Sequence, residues 1–343
     1  MRTVRLGKTG LMVSCVGFGG IPIQRLSEDD SVAVVRRCLD LGVTFLDTAN
    51  AYGPSEERIG KAIAGRREGL VLATKTQARD AATCREHLEL SLKRLGVDYI
   101  DLYQFHNIST EEQFQQVIGP GGAMDVVREA QAAGRIGHIG VTSHAMDAAL
   151  MMVASGMFET IMFPFNFITR EPMEKLIPLC RANDVGFIVM KPMGGGMLED
   201  ANLAFKFLRD FPDLVSIPGI ESAHEMEENI AIMEGTEPLT DAERVRIEEL
   251  RAELGTRFCR RCDYCQPCPQ GIPINTIVNM KSFLKRFPPD RFFAMMGDVV
   301  AKAEGCLECG ECEGRCPYQL PIRTIIKENV ALYHERRAGY HPA

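Results

Sequence analysis

A chain of 343 residues exceeds the roughly 250 of a typical barrel-sized α/β domain and leaves room for one small further domain. Hydrophobic residues make up 45% and charged residues 25%, enough for a sizeable core, and no run approaches the roughly 20 apolar residues of a membrane span. The net charge of −7 argues against nucleic acid as a partner, since phosphate contacts need clustered Lys and Arg. The opening stretch, MRTVRLGKTGLMVSCVGFGG, has no long apolar region ending in a small-residue cleavage site, so a cytoplasmic location is expected.

Residues 2–13, turning at Gly7-Lys8-Thr9-Gly10, read as a hairpin. Up to about residue 235, short β-rich apolar runs then alternate with amphipathic helical stretches. The predicted strands are 14–18, 43–47, 70–74, 99–103, 137–141, 158–163, 186–190 and 213–217. The predicted helices are 29–41, 54–65, 79–95, 111–133, 145–154, 172–183, 197–209 and 223–233, with Leu88, Leu90, Leu92 and Leu95 expected as a buried stripe. Eight strands alternating with eight helices fit a parallel sheet, closed as a (β/α)8 barrel or opened as a doubly wound sheet. Thr240-Asp241-Ala242-Glu243 starts a capped helix that runs to about Leu254. The division is therefore 1–238 for the first domain, 239–255 for a linker helix, and 256–343 for a second domain ending in a helix from about Ile322 to Arg337.

Four side chains sit at or just beyond consecutive strand ends: Asp47 and Tyr52 in FLDTANAYGPSEERIG, Lys75 in LATKT, and His106 in DLYQFHN. That is the barrel face where active sites are built, and it favours closure. Each residue alone has an ordinary structural use, as a turn, a solvated lysine or a core histidine. As a set they suit acid–base chemistry at a carbonyl. A free tyrosine, pKa about 10, is a poor proton donor at neutral pH, and a neighbouring ammonium favours its phenolate. Asp47 would hold Lys75 charged, and His106 would hydrogen-bond the carbonyl oxygen.

With these motifs and the loop GPGGAMDVVREAQAAGRIGHIGVTSH, residues 1 to about 235 resemble the aldo-keto reductase superfamily. The resemblance implies a (β/α)8 TIM barrel and hydride transfer between NAD(P)(H) and an aldehyde, ketone or alcohol. It also implies an extended dinucleotide across the barrel mouth. Its contacts would come from Gly19 and Gly20, Asp47, Thr142 and Ser143, and Asn166. Further contacts would come from Lys191 and Pro192, from Gly194 and Gly196 leading into a helix N-terminus, and from Glu228 and Asn229 at the adenine. Glu221 and Glu225 fall where members that bind a 2′-phosphate often carry Ser, Arg or Gln. A carboxylate there favours NAD(H) over NADP(H). Met162 and Met190 depart from the Gln and the aromatic residue expected around the nicotinamide.

Eight of the twelve cysteines fall after residue 255. They form Cys259-x2-Cys262-x2-Cys265-x2-Cys268-Pro and Cys306-x2-Cys309-x2-Cys312-x3-Cys316-Pro. Residues 256–343 also carry 13 Lys and Arg against 9 Asp and Glu, which offsets thiolate-ligated clusters. Three thiolates at this spacing wrap one cubane, and the fourth, before Pro, belongs to the other cluster in two-cluster ferredoxins. Two [4Fe–4S] clusters are expected, on Cys259, Cys262, Cys265 and Cys316 and on Cys306, Cys309, Cys312 and Cys268. Structural zinc would want two Cys pairs some 12–20 residues apart, which neither run offers. QGIPINTI and YQLPIRTI form a short internal repeat, and the intervening residues are helical in pattern, so a mainly α-helical ferredoxin-like domain is expected, and the chain resembles the aldo-keto reductase branch with a C-terminal ferredoxin-type 4Fe–4S domain. Cys15, Cys38, Cys84 and Cys180 are expected to be inert thiols.

The leading expectation is an NAD(P)(H)-dependent reductase or dehydrogenase acting on a small carbonyl or alcohol. The alternative is a redox-sensing or electron-transfer protein whose barrel binds a nucleotide with little turnover. An external redox protein is a candidate partner, because nicotinamide moves two electrons and each cluster moves one, and no flavin motif mediates.

Overall fold

The computed structural model describes residues 1–340. Two short strands, β1 (Thr3–Arg5) and β2 (Met12–Ser14), form the antiparallel hairpin. Lys8 N donates to Asp184 O at 2.6 Å and Arg5 pairs with Asp184, just ahead of a strand that starts at Gly186. The hairpin therefore closes the N-terminal end of the barrel.

Eight parallel strands follow: β3 (Phe18–Gly19), β4 (Phe45–Asp47), β5 (Val71–Thr76), β6 (Ile100–Phe105), β7 (Ile136–Thr142), β8 (Thr160–Pro164), β9 (Gly186–Met190) and β10 (Val215–Ile217). They pair in chain order from β3 to β10. The ring is completed by parallel bridges Val16↔Ser216 and Gly19↔Gly219, with Gly17 N donating to Ser216 O at 2.8 Å and Gly19 N to Pro218 O at 2.8 Å. Residues of β4, β5 and β6 are buried throughout, as parallel strands covered on both faces must be.

The surrounding helices are α1 (Glu28–Asp40), α2 (Ser55–Ile63), α3 (Ala81–Leu95), α4 (Glu111–Ile118), α5 (Ala123–Ala132), α6 (Met146–Ala154), α7 (Leu176–Ala182), α8 (Ala201–Arg209) and α9 (Ala223–Glu234). Three departures from the predicted elements have local causes. The stretch 111–133 divides into α4 and α5 because Gly119-Pro120-Gly121-Gly122 cannot continue a helix. Predicted strand 14–18 divides between the hairpin and the barrel. In α3 the buried face is Cys84, Leu88, Ser91, Leu92 and Leu95, at helical spacing, while Leu90 points outward at 37% exposure.

Two compact units result: Met1–Gly194 with Leu198–Leu239, and Gly195–Met197 with Thr240–Ala343. The second contains α10 (Asp241–Gly255), α11 (Ile274–Val278), α12 (Met280–Arg286), α13 (Pro289–Glu304), α14 (Glu311–Gly314) and α15 (Ile322–Ala338). A Thr240–Glu243 capping box starts α10. The core of the second unit gathers Ile274, Ile277, Phe292, Met296, Ile322 and Ile326, with six of the eight clustered cysteines packed against it. Each half of the QGIPINTI/YQLPIRTI repeat begins its helix, α11 or α15, directly after Pro273 or Pro321.

A Cβ at Gly19 would lie 2.5 Å from Pro218 O, across the seam that closes the ring. Gly19→Ala is expected to destabilise the barrel by about 1–3 kcal/mol in urea unfolding. Gly255→Ala, whose Cβ meets nothing within 4 Å, should change stability little. Equal effects at the two positions would show that the seam is not tightly packed.

Candidate active site and cysteine cavities

Strand register builds the site. Asp47 ends β4, Lys75 lies next to last in β5, and His106 follows Phe105 at the end of β6. Lys75 pairs with Gln104 across β5 and β6, which puts both side chains on the same face. Lys75 Nζ donates to Asp47 Oδ2 at 2.5 Å and to Thr48 O at 2.7 Å, and Gln104 Nε2 donates to Asp47 Oδ1 at 3.0 Å. The loop bearing Tyr52 is tied to β5 by Asn50 N donating to Lys75 O at 3.1 Å. As a result Lys75 Nζ stands 5.0 Å from the centroid of the Tyr52 ring, and the His106 ring meets Tyr52 edge-on at 5.6 Å. The structure thus brings together all four residues expected from the sequence.

The electrostatics follow from burial. Lys75 is 1% exposed, and burial pulls its pKa down. The attraction of Asp47 and then Tyr52, with the hydrogen bond to Asp47, outweighs that pull and raises it, so the ammonium is retained. Burial pushes the Asp47 carboxyl up, against Lys75 and Gln104. Burial, followed by the charges of Lys75 and Arg79, pushes the His106 imidazole down to about 3. Its Nδ1 has no partner among the described residues. A neutral imidazole with an unused nitrogen can hydrogen-bond a carbonyl oxygen.

The residues expected to grip a nucleotide are mostly engaged with the protein itself. A Cβ at Gly20 would meet Ser55 Oγ at 2.8 Å and one at Gly19 would meet Pro218, so packing alone requires both glycines. Thr142 Oγ1 accepts from Asn107 N at 2.8 Å, and Ser143 Oγ pairs with Ala145 backbone atoms. Asn166 accepts from Ile168 N and Thr169 N and donates to Lys191 O at 2.9 Å. Lys191 has φ +57° and Gly194 φ +58°. Pro192 lies between them, and Gly196 O accepts from Lys285 Nζ at 2.8 Å. The helix after this loop begins at Ala201 and is capped by the Asp200 carboxylate, so these glycines do not lead directly into its N-terminus. Glu221 pairs with Arg25, while Glu225 accepts from Glu221 N and Ser222 N in a capping box. On α9, Glu228 is exposed and Asn229 buried.

In the second unit the eight clustered cysteines form no disulfide and stand around two cavities. One, of about 180 Å³, is lined by Cys268, Cys306, Cys309 and Cys312. The other, tighter at about 20 Å³, is lined by Cys259, Cys262 and Cys316. Cys265 borders both. Among the described residues no three His, Cys, Asp or Glu side chains converge on a single-ion site; the thiols stand around spaces instead. The repeat reappears in the side chains. Asn275 donates to Asp263 at 2.6 Å, and the corresponding Arg323 binds Glu313 at 2.7 Å.

A family model for the aldo/keto reductase family matches residues 15–213, more than half of the chain. The chain belongs to the aldo/keto reductase family. Within that family it is 33% identical over 217 residues to aldo-keto reductase YhdN of Bacillus subtilis (strain 168), covering 58% of this chain and 64% of that relative. The match therefore spans just under two thirds of the relative's length. Among solved structures it resembles the holo form of aldo-keto reductase AKR11C1 from Bacillus halodurans, with TM-score 0.63, 25% identity, and coverage of 73% of this chain and 96% of that one. An aldo-keto reductase from Klebsiella pneumoniae in complex with NADPH shares the fold, with TM-score 0.61, 23% identity, and coverage of 73% and 95%. A second model, for a 4Fe-4S dicluster domain, matches residues 258–321, so this reductase-family barrel is joined to an iron–sulfur domain.

Gln104 and Arg79 escaped the sequence reading. Gln104 left one signal, a buried-strand polar residue two places before His106 and therefore on its face. The low pKa of His106 has a consequence for stability. The folded chain takes up this proton only near pH 3 and an unfolded histidine near 6.5, so stability should fall as pH drops through that window. Urea unfolding at about pH 7 and about pH 5 should show the loss, and His106→Gln should reduce it. An identical pH dependence in both proteins would mean that His106 titrates normally.

Proposed function

We propose that the barrel reduces a small aldehyde or ketone, or oxidises the corresponding alcohol, with a nicotinamide dinucleotide. The observation that carries this reading is the retained Lys75 ammonium set between Asp47 and Tyr52, with a neutral His106 against the same Tyr52. When bound, the dinucleotide supplies the hydride. His106 orients the carbonyl through its oxygen, and Tyr52 Oη gives that oxygen its proton. Lys75 stabilises the phenolate left behind, while Asp47, Thr48 O and Gln104 keep Lys75 in place.

The residues that would hold the dinucleotide are Thr142, Ser143, Asn166, Lys191, Pro192, Gly194, Glu221, Glu225, Glu228 and Asn229. The preference for NADH expected from Glu221 and Glu225 is not retained. Glu225 is engaged in its capping box, and the Glu221 carboxylate is paired with the Arg25 guanidinium, so neither is left as a bare charge to repel a 2′-phosphate. The Klebsiella reductase of the same fold binds NADPH.

In the second unit the donor sets of four cysteines per cavity fit one [4Fe–4S] cluster each. Cys259, Cys262, Cys265 and Cys316 would hold one, and Cys268, Cys306, Cys309 and Cys312 the other. When bound, the clusters supply one-electron storage. An external redox protein is the natural partner for that storage, and thiolate-ligated clusters suit the reducing cytoplasm.

A second reading has an observation of its own. The polar side chains of Thr142, Ser143 and Asn166 already have protein partners, and Met162 and Met190 stand where the family resemblance implies a Gln and an aromatic residue around the nicotinamide. This favours a redox-sensing or electron-transfer protein in which the barrel holds a nucleotide but turns over little.

Anaerobically purified protein should oxidise NADPH or NADH in the presence of aldehydes, and Tyr52→Phe should lower kcat by about 10²–10⁴-fold. Inactivity of both would sink the reductase and leave the second reading. Cys312→Ser should lose about half of the bound iron and sulfide while nucleotide affinity stays unchanged. Loss of nucleotide binding in that variant would refute the proposed separation into a barrel domain of residues 1–238 and an iron–sulfur domain of residues 256–343.

A further inference from the structure

The barrel rim carries a cation that the tetrad does not use. Arg79 lies four residues beyond Lys75, half-buried in the loop between β5 and α3. Its terminal nitrogens reach four carbonyl oxygens. Nη1 donates to Gln77 O at 3.0 Å and Ala78 O at 3.3 Å, and Nη2 donates to His106 O at 2.9 Å and Asn107 O at 3.0 Å. These contacts fix the guanidinium beside the residue that faces Tyr52. Neutral carbonyls orient a guanidinium without cancelling its charge. No carboxylate among the described residues pairs with it. Asp80, its neighbour in sequence, is turned to cap α3, accepting from Thr83 N at 2.9 Å. Burial lowers the Arg79 pKa with no anion to hold it up, and its charge reaches the His106 ring.

A rigid, partly desolvated and uncompensated cation is costly unless a ligand supplies the counter-charge. We propose that Arg79 reads an anionic group on the substrate, so that the barrel's preferred carbonyl compound carries a carboxylate or phosphate a few bonds from the reacting carbon. The Nε–H, for which the protein offers no acceptor among the described residues, remains to hydrogen-bond that group, and the charge acts on it whatever its exact pose. The inference rests on the reductase reading for the carbonyl end of the substrate, while recognition of the anion can be tested without turnover.

Calorimetry on the full protein with its nucleotide bound should show succinate binding at least about tenfold more tightly than the neutral analogue succinamide. In Arg79→Met the two affinities should become about equal, and Arg79→Lys, which keeps the charge, should retain more than about threefold of the difference. Inorganic phosphate tested beside succinate tells a phosphate-bearing source from a carboxylate one. In turnover, 4-oxobutanoate should exceed butanal in kcat/KM by a similar ratio. Equal affinity for succinate and succinamide in the wild type overturns the proposal. So does a preference that survives in Arg79→Met, which would leave Arg79 as a clamp between loops. Failure of the wild type to turn over either aldehyde would remove the reductase reading, while the succinate comparison would still decide for or against Arg79.

Discussion

A lysine enclosed inside a barrel is the constraint on which the rest of the first unit depends. Burying a lone ammonium costs several kcal/mol, and the cost is recovered only by close, well-aligned partners. Lys75 has them in Asp47 at 2.5 Å and Thr48 O at 2.7 Å. Asp47 is completed by Gln104 at 3.0 Å. Those contacts come from three adjacent strands, so β4, β5 and β6 must keep their register for the pair to exist. A one-residue slip in β5 would turn Lys75 outward and leave Asp47 buried alone. The pair therefore fixes strand register and at the same time supplies the charge that faces Tyr52.

The tetrad was legible in the sequence because its signal is positional. Asp47, Tyr52, Lys75 and His106 follow apolar runs that can only be strands, and parallel strands of a barrel deliver their ends to one rim. The nucleotide side was less legible, because residue type does not reveal which partner a polar group takes. Glu225 reads as a free carboxylate but serves a capping box, and Asn166 reads as an amide donor to a ligand but closes a turn. The glycines at 19 and 20 show the same ambiguity. They suggest close approach of a ligand, yet the atoms they make room for belong to Pro218 and Ser55. Element boundaries moved for an equally local reason, the Gly-Pro-Gly-Gly break between α4 and α5 being the plainest case.

In the second unit the cysteine spacing left one question open. The first run places two residues, not three, ahead of its Cys-Pro, which bears on whether Cys268 can reach across. Its thiol lines the cavity of Cys306, Cys309 and Cys312, and Cys316 lines that of Cys259 and Cys262. The exchange follows from the repeat: Pro273 and Pro321 launch α11 and α15 in the same way, so each half sends its last cysteine toward the other half's three. Cluster formation would then join the two halves covalently through metal, which couples folding of the unit to metal loading.

The asymmetry of the repeat bears on what such clusters could do. Asn275, a neutral amide, faces a half-buried Asp263, whereas Arg323 faces Glu313 and cancels its charge. The cavity that Asp263 lines is lined by Arg260 as well, and the other is bordered by Arg323, which pairs with Glu313. Burial also pushes the Asp263 carboxyl up. Nearby charge and hydrogen bonding set the potential of an iron–sulfur centre, so two clusters in these cavities would be inequivalent even though their ligands are the same. Inequivalent one-electron sites can take up the electrons of a two-electron couple one at a time only through an intermediary able to divide the pair. Neither the tetrad nor the cysteine motifs supply one.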